Sequence, residues 1–168
     1  MKPIIIFGSS KSRGQTWNAL QSFKGNREIP IVELSELNIS FFDYEHKNQN
    51  DDYIPLMERI LEYDPIILAT PVYWYTMSAQ MKVFIDRLSD CLAIRKDIGR
   101  KLKGKKMYVI TSFGTSMPEA FEEAFRQTCD YMKMSYQGCL YYYTGDEPEL
   151  RKENEAKIAA FTKKVFGE

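Results

Sequence analysis

The sequence predicts an α/β fold in which a doubly wound, five-stranded parallel sheet is covered by helices on both faces. Three observations support this prediction. Short apolar runs recur along the chain, segments with helical spacing of apolar residues separate them, and polar or glycine-containing loops follow three of the runs. Strands that alternate with helices of this length connect through right-handed crossovers, which makes neighbouring strands parallel. Five such units within 168 residues favour the compact strand order 2-1-3-4-5.

The predicted strands are the apolar runs rich in β-branched and aromatic residues. The first run, PIIIF at 3–7, is apolar throughout, as expected for a strand covered on both faces of a parallel sheet. The remaining runs are PIVEL at 30–34, PIILAT at 65–70, KMYVITS at 106–112 and SYQGCLYYY at 135–143. Gly138 interrupts the last run, and an isolated glycine inside a strand pattern predicts a β-bulge.

Helical spacing of apolar residues fills the intervals between these runs. It predicts helices at 16–24, 53–60, 81–88, 116–132 and 158–165. The fourth helix is expected to begin at Ser116, because Ser116-x-x-Glu119 has the form of a capping box. The polar stretch 46–52 and the basic stretch 95–106 are expected to be loops or solvated helix ends.

Length and composition limit the classes of function. A chain of 168 residues with 44% apolar content can bury one good core, so we expect a single domain at 1–168. The 23 basic and 23 acidic side chains cancel, which disfavours nucleic acid and membrane surfaces as partners. The three cysteines lack CxxC or metal-ligand spacing, which fits a reducing compartment and predicts no metal site. The run at 3–7 is too short for a signal peptide or membrane span, so we expect a cytoplasmic location.

The stretch GSSKSRGQTWNAL at 8–20 connects the first strand to the first helix. A helix N-terminus offers free N–H groups and a partial positive charge, and the serine and threonine hydroxyls of the stretch add donors. It does not match the P-loop, because five residues separate Gly8 from Gly14 and Gln15 follows, nor does it contain the dinucleotide fingerprint G-x-G-x-x-G. The stretch is therefore interpreted as an anion site, with a simple helix-capping turn as the alternative.

Two further loops follow the third and fourth strands. TPVYWYTM at 70–77 places three consecutive aromatic residues in a loop, where they can stack on a planar ring or form a dimer contact. SFGTSM at 112–117 has small residues whose backbone can approach a ligand closely. The ends of strands one, three and four meet where the winding direction switches, so the three loops converge. An anionic tail, a stackable ring and backbone donors to a ring edge together describe flavin mononucleotide (FMN).

These segments resemble the flavodoxin-like NAD(P)H-dependent FMN reductases, and the resemblance covers most of the chain. GSSKSRGQT is similar to the family's phosphate loop G-S-x-[RK]-x-x-G-x-T. TPVYW followed by SAQMKVFIDRL is similar to its flavin-ring loop and the helix after it. The resemblance implies a flavodoxin-like fold, bound FMN, NAD(P)H as co-substrate, a small-molecule electron acceptor and a homodimer.

The resemblance also implies which residues hold FMN. The phosphate ligands would be Ser9, Lys11, Arg13, Gln15 and Thr16. The residues lining the flavin ring would be Pro71, Val72, Tyr73, Trp74 and Met77, with Thr111, Gly114 and Thr115 at its other edge. Tyr73 and Trp74 are also expected to shape the nicotinamide site.

Two departures from the family pattern carry expectations of their own. Ser78 stands where many relatives have proline, which predicts a looser ring loop. The segment 41–50 holds no cysteine where iron–sulfur relatives carry a cluster motif, so no cluster is expected.

The family implies ping-pong chemistry, in which hydride passes from NAD(P)H to flavin N5 and electrons then pass to a quinone, flavin or similar acceptor. The cofactor carries this chemistry, so no catalytic acid, base or nucleophile is expected from the chain. Backbone N–H groups of 72–77 and 113–115 are expected to stabilise charge on the reduced flavin. His46 is expected at the surface, and Asp86 with Arg87 is expected to form a local salt bridge of small value.

Three other functions remain open. An electron carrier of flavodoxin type would share the fold, although such carriers are strongly acidic and this chain has no net charge. A receiver-like regulatory domain needs acidic residues where Gly8-Ser9 and Thr70-Pro71 stand. A degenerate member of the family would bind a partner and no flavin.

Overall fold

The computed structural model describes residues 2–167. Among these residues, five strands form one sheet: β1 (Ile4–Phe7), β2 (Ile31–Glu33), β3 (Ile66–Ala69), β4 (Lys106–Phe113) and β5 (Ser135–Tyr143). All neighbouring strands run parallel, and their order is β2-β1-β3-β4-β5. The predicted fold class and strand order are confirmed.

The central strands are covered on both faces, as their uniformly apolar sequences predict. Every residue of β1 and β3 is buried. At the far edge of the sheet, the register between β4 and β5 shifts between Met107 and Val109, and Gly138 lies opposite this shift with φ of 114°. The predicted bulge at Gly138 is confirmed, because its positive φ is one that glycine adopts without a Cβ clash.

The helices form two layers around the sheet. They are α1 (Gln15–Lys24), α2 (Tyr53–Ile60), α3 (Ala79–Asp86), α4 (Asp90–Ala93), α5 (Lys96–Leu102), α6 (Glu123–Met132) and α7 (Pro148–Phe166). Helices α1 and α7 pack on one face of the sheet, and α2 to α6 pack on the other. Within 2–167, no helix is both long and apolar enough to cross a membrane.

The helix boundaries differ from the prediction in several places. The last helix, α7, begins at Pro148, ten residues before the predicted start at 158. The third helix ends at Asp86, and a 3-10 turn at Arg87–Ser89 separates it from α4. The capping box at Ser116 is wrong, because α6 begins at Glu123 after a turn in which Glu123 N donates to Ala120 O (3.2 Å). The basic stretch 95–106 contains α5, whose only buried apolar residues are Ile98 and Leu102. Two apolar positions are too few for a recognisable helical pattern.

A buried ion network fixes the end of α3. Arg87 is fully buried, its Nε lies 2.6 Å from Asp90 Oδ2, and its Nη2 lies 3.1 Å from Asp51 Oδ1. His46 adds a fourth member, since its Nδ1 lies 2.9 Å from Asp90 Oδ1. His46 is therefore half-buried and bonded, not free at the surface, and the expected local salt bridge between Asp86 and Arg87 is wrong. Asp86 pairs instead with Lys82 at the surface.

The network attaches the loop between β2 and α2 to the end of α3. Arg87 Nη1 also donates to the Ser40 carbonyl at 3.0 Å. Burial raises the pKa of Asp51, but hydrogen bonds from Arg87 and from the N–H groups of Ser40 and Tyr53 outweigh burial and lower it. Ionised Asp51 therefore stabilises the fold above the ordinary carboxyl pKa of 3.8, and this contribution is lost as the pH falls through the lowered value.

Arg87→Met is expected to lower the free energy of unfolding by about 3–5 kcal/mol, because it leaves two buried carboxylates without their cation. Arg126→Met is the matched control, since Arg126 pairs with Glu123 and Asp130 at the surface, and it should cost less than about 1 kcal/mol. Urea denaturation at neutral pH measures both. Equal losses in the two variants would show that the network adds no more than a surface ion pair.

Candidate functional site

Three loops leave the carboxyl ends of β1, β3 and β4 and meet at one edge of the sheet. They are residues 8–14, 70–78 and 114–122. Val72 N, in the second loop, donates to Ser112 O at the end of β4 (3.1 Å). Thr16 Oγ1, in the first turn of α1, lies 2.7 Å from Ser112 Oγ. The end of β4 is thus hydrogen-bonded both to the second loop and to the first turn of α1, and the predicted convergence at this end of the sheet is observed.

The backbone N–H groups in the first turn of α1 are not capped by a side chain. The N-cap residue is Gly14, which can supply no side-chain acceptor, and the first backbone bond of the helix runs from Asn18 N to Gly14 O. The earliest N–H groups of the helix therefore lack the acceptor that a serine or aspartate cap would provide. This leaves donors and a positive helix end available to an anion.

The first loop is packed against the first turn of α3. A Cβ atom at Gly8 would lie 3.0 Å from Met81 N and 3.1 Å from Leu34 Cδ1. A larger residue would need the two backbones to move apart slightly, so glycine favours the close approach. Ser9, directly after it, is buried, and its Oγ accepts from Lys11 N (3.2 Å).

The predicted phosphate ligands have different surroundings. Lys11 is exposed and has no carboxylate within ion-pair distance among residues 2–167. Arg13 instead pairs with Glu33 Oε2 (3.1 Å) and lies over the Trp17 ring, with 3.9 Å between Cζ and the ring centroid. Gln15 is exposed. The cation of this loop that no carboxylate balances is therefore Lys11.

The pKa of Glu33 is lowered by the groups around its carboxylate. Burial raises the pKa of the Glu33 carboxyl, but hydrogen bonds from Ser12, Arg13 and Ser35 outweigh it and lower the pKa. Glu33 is thus ionised at neutral pH and holds Arg13 at the end of β2.

The second loop contains a strained turn. Tyr73 N donates to Thr76 O (2.9 Å) and Thr76 N donates to Tyr73 O (3.1 Å), so Trp74 and Tyr75 are the two central residues. Both have positive φ, 48° and 66°, a conformation that costs non-glycine residues about 1–2 kcal/mol each. The Trp74 side chain is 93% exposed. The turn holds large rings in solvent at an energetic cost, a combination that marks candidate ligand-binding loops.

A cleft of about 210 Å³ opens between the second and third loops. Its lining residues are Val72, Trp74, Tyr75, Phe113, Gly114, Thr115 and Ser116. The structure thus brings together four of the predicted ring contacts. Tyr73, which is 38% exposed, flanks the same turn. Three further predicted contacts, Pro71, Met77 and Thr111, are buried and do not line the cleft.

The predicted ring contacts leave out Tyr75, which lines the cleft, and the prediction for Ser78 differs from the structure. Ser78 is fully buried, and its N–H donates to Thr70 Oγ1 at 3.0 Å. Its Oγ donates to Gly8 O (2.7 Å) and accepts from Met81 N (3.2 Å), which caps α3. The expectation of a looser loop is wrong, because these three hydrogen bonds of Ser78 hold the loop in place. A serine directly before a helical segment is an N-cap signal that could have shown this.

A larger groove lies behind the three loops, between α1 and α7. It has a volume of about 560 Å³ and includes Tyr142, Arg151 and Asn154, with Gln15 at its margin. Two of its polar side chains already have partners: the Asn154 amide bonds both N and O of Tyr143, and Arg151 donates to the Thr144 carbonyl. Satisfied groups of this kind offer a ligand little, so size alone does not make this groove the site.

Comparison with known proteins agrees with the three-loop geometry. The sequence profile of NADPH-dependent FMN reductases matches residues 1–149. The chain belongs to the NADPH-dependent FMN reductase family. It is 29% identical to Bacillus subtilis YwqN, described as an NAD(P)H-dependent FMN-containing oxidoreductase, over 95% of this chain and 94% of that protein. The resemblance inferred from the loops is confirmed, and with it the class of enzyme.

Solved structures confirm the flavodoxin-like fold. The Trp repressor binding protein of Bacillus subtilis superposes with a TM-score of 0.75 at 24% identity, covering 98% of this chain and 97% of that one. An FMN-dependent NADH-azoreductase of Bacillus anthracis, solved in complex with FMN, superposes with a TM-score of 0.71 at 11% identity, covering 98% and 99%. At these identities the likeness establishes the fold alone.

Trp74→Gly is expected to raise the free energy of unfolding by about 0.5–1 kcal/mol, because glycine adopts positive φ without strain and the exposed indole contributes little burial. Tyr44→Gly is the matched control: Tyr44 is 89% exposed and is not among the residues with positive φ. The control should lose about 0.4–1 kcal/mol through chain entropy. Urea denaturation measures both, and equal destabilisation in the two variants would contradict strain at Trp74.

Proposed function

We propose that the chain binds FMN across the three loops and uses it to oxidise NAD(P)H and reduce a small-molecule acceptor such as a quinone or flavin. The observation that carries the proposal is the uncapped start of α1 at the same sheet edge as an exposed aromatic turn and its cleft. An anion site alone fits many ligands. An anion site beside a ring-binding cleft, in a chain of this family, fits FMN.

At the phosphate end, the free N–H groups at the start of α1 and the Lys11 ammonium would hold the dianion. Backbone donors at a helix N-terminus need no reorganisation to bind phosphate. Ser9 and Thr16 are buried beneath this end, and their hydroxyls already bond to Lys11 N and Ser112 Oγ. These two residues would shape the cradle, whereas Lys11 supplies the opposite charge. Gln15 and Arg13 stand at its rim, Arg13 held by Glu33.

At the ring end, Val72, Trp74, Gly114 and Thr115 would enclose the flavin ring, over the buried Pro71, Met77 and Thr111. Bound FMN supplies hydride and electron transfer at its N5. Of the second loop's N–H groups, those of Val72, Tyr73 and Thr76 already donate to protein carbonyls. The N–H groups of Trp74, Tyr75, Gly114 and Thr115 are then the ones that would stabilise negative charge on the ring. Tyr73 and Trp74 would flank the nicotinamide.

The chain's own thiols play no part in this proposal. Burial raises the pKa of Cys91 to about 12 and that of Cys129 to about 12, so neither forms the thiolate that nucleophilic chemistry needs at neutral pH. Burial also raises the pKa of Cys139. The reaction would therefore rest on cofactor orientation and backbone electrostatics, as expected for a flavin enzyme.

We further propose a homodimer in the cytoplasm. A surface cleft of about 380 Å³ lies between α3, α4 and α6, and Leu92 and Tyr131, which border it, are exposed. Exposed apolar side chains that cluster in this way are typical of subunit contacts. The three cysteines are free thiols, which fits a reducing compartment.

The proposed function is tested by the absorbance spectrum of the purified protein after FMN is added and excess removed. We expect a retained flavin band that bleaches without oxygen on addition of NADH or NADPH and recovers when a quinone is supplied. Free FMN treated in the same way is the control for direct reduction. A colourless protein that takes up no FMN would refute the proposal. Retained flavin that neither nicotinamide reduces would favour an electron carrier.

A further inference from the structure

We propose that Ser78 is a positioning residue that sets the first loop to receive the phosphate of the cofactor. The inference rests on the proposed FMN function and assigns a part in it to a residue outside the predicted contacts. Ser78 is fully buried between the second loop and α3. It touches no solvent, so its effect on the cofactor is exerted through the backbone of Gly8.

The Ser78 hydroxyl joins two elements that belong to different parts of the site. It donates to the Gly8 carbonyl at 2.7 Å and accepts from Met81 N at 3.2 Å. Gly8 opens the first loop, and Met81 lies in the first turn of α3. A hydroxyl can donate and accept at the same time, and an alanine or proline side chain can do neither.

This bond fixes the orientation of the peptide between Gly8 and Ser9. In a trans peptide the carbonyl and the following N–H point in opposite directions. The Gly8 carbonyl points to Ser78 at the start of α3, so the Ser9 N–H points away from α3. Because α3 and α1 pack on opposite faces of the sheet, this N–H is turned towards the face that carries α1.

The Ser9 N–H is left available in that orientation. Within 2–167 it donates to no protein acceptor. It belongs to the first loop, which leads into the free donors at the start of α1, where the phosphate is proposed to bind. A rotated Gly8–Ser9 peptide would present a carbonyl oxygen in place of this donor, and a carbonyl repels a phosphate. Ser78 therefore keeps a donor, and not an acceptor, in the phosphate cradle.

The second loop is held by the same residue. Ser78 N donates to Thr70 Oγ1 (3.0 Å), and Thr111 Oγ1 donates to Thr70 O (2.7 Å), so the loop's beginning, its end and β4 are connected. The backbone N–H of Ser78 makes this link, and the hydroxyl makes the link to Gly8. A substitution that removes the hydroxyl but keeps the N–H therefore breaks the link to Gly8 at the phosphate end and leaves the link to the second loop at the ring end. Ser78→Ala is such a change.

The test compares FMN with riboflavin, which has the same ring and lacks the phosphate. Dissociation constants for both are measured by quenching of flavin fluorescence with the wild type and with Ser78→Ala. We expect Ser78→Ala to weaken FMN binding about 10-fold and riboflavin binding less than about 2-fold, because one donor to a charged group is lost. The readout is the dissociation constant of riboflavin divided by that of FMN, and this ratio does not depend on turnover.

Three further variants make the result specific. Ser78→Cys keeps a similar volume with a weak donor and should also lower the ratio, whereas Ser78→Thr keeps the hydroxyl and should retain it. Tyr108→Phe is the matched control, because it removes a buried hydroxyl that donates to a backbone carbonyl, that of Lys164, at 3.0 Å. It should leave the ratio unchanged. Urea denaturation identifies which variants are folded under the binding conditions.

The outcomes separate this inference from the proposed function. Equal weakening of FMN and riboflavin by Ser78→Ala and Ser78→Cys would make Ser78 a helix cap only and overturn the inference, while flavin binding by the wild type still stands. A wild type that binds neither flavin would overturn the proposed function and this inference together. A selective loss of FMN affinity, restored in Ser78→Thr, supports the positioning role.

Discussion

The site depends on the contact between Gly8 and the first turn of α3. These two backbones meet so closely that a single methyl group at Gly8 would contact Met81 N at 3.0 Å. The contact joins the end of β1 to the helix that follows β3, although 70 residues separate Gly8 from Ser78. Because β1 and β3 are adjacent and parallel, the pairing brings their loops together, and the missing side chain lets them touch.

Helix α3 is held at both ends, and each end serves a different loop. At its start, Ser78 connects it to the first loop through the Gly8 carbonyl. Beyond its end, buried Arg87 connects it to the loop between β2 and α2 through Asp51. A helix fixed in this way can support a strained turn nearby. The positive φ angles at Trp74 and Tyr75 persist because the turn is closed by two backbone bonds and followed by an anchored helix.

Much of this architecture could be predicted from the sequence. Uniform apolar runs predicted the buried parallel strands, and Gly138 predicted the bulge. The donors of loop 8–14 predicted an anion site, and the aromatic residues of loop 70–77 predicted a ring-binding site. The buried charges could not be predicted, since Arg87 and Asp51 are far apart in sequence and only the fold brings them together. For the same reason the sequence shows Ser78 only as a departure from a family pattern, although its hydroxyl has partners in two elements. Helix α5 was not predicted, because basic residues surround its two buried apolar positions and obscure the helical pattern.

The division of the site into a phosphate end and a ring end is tested most directly by the backbone amide signals of the ¹⁵N-labelled protein during titration with FMN. We expect the amides of residues 9–17 to move most among the backbone signals outside the ring cleft, and inorganic phosphate alone to move the same group. Shifts confined to the groove between α1 and α7, around Tyr142, Arg151 and Asn154, with residues 9–17 unchanged, would contradict it.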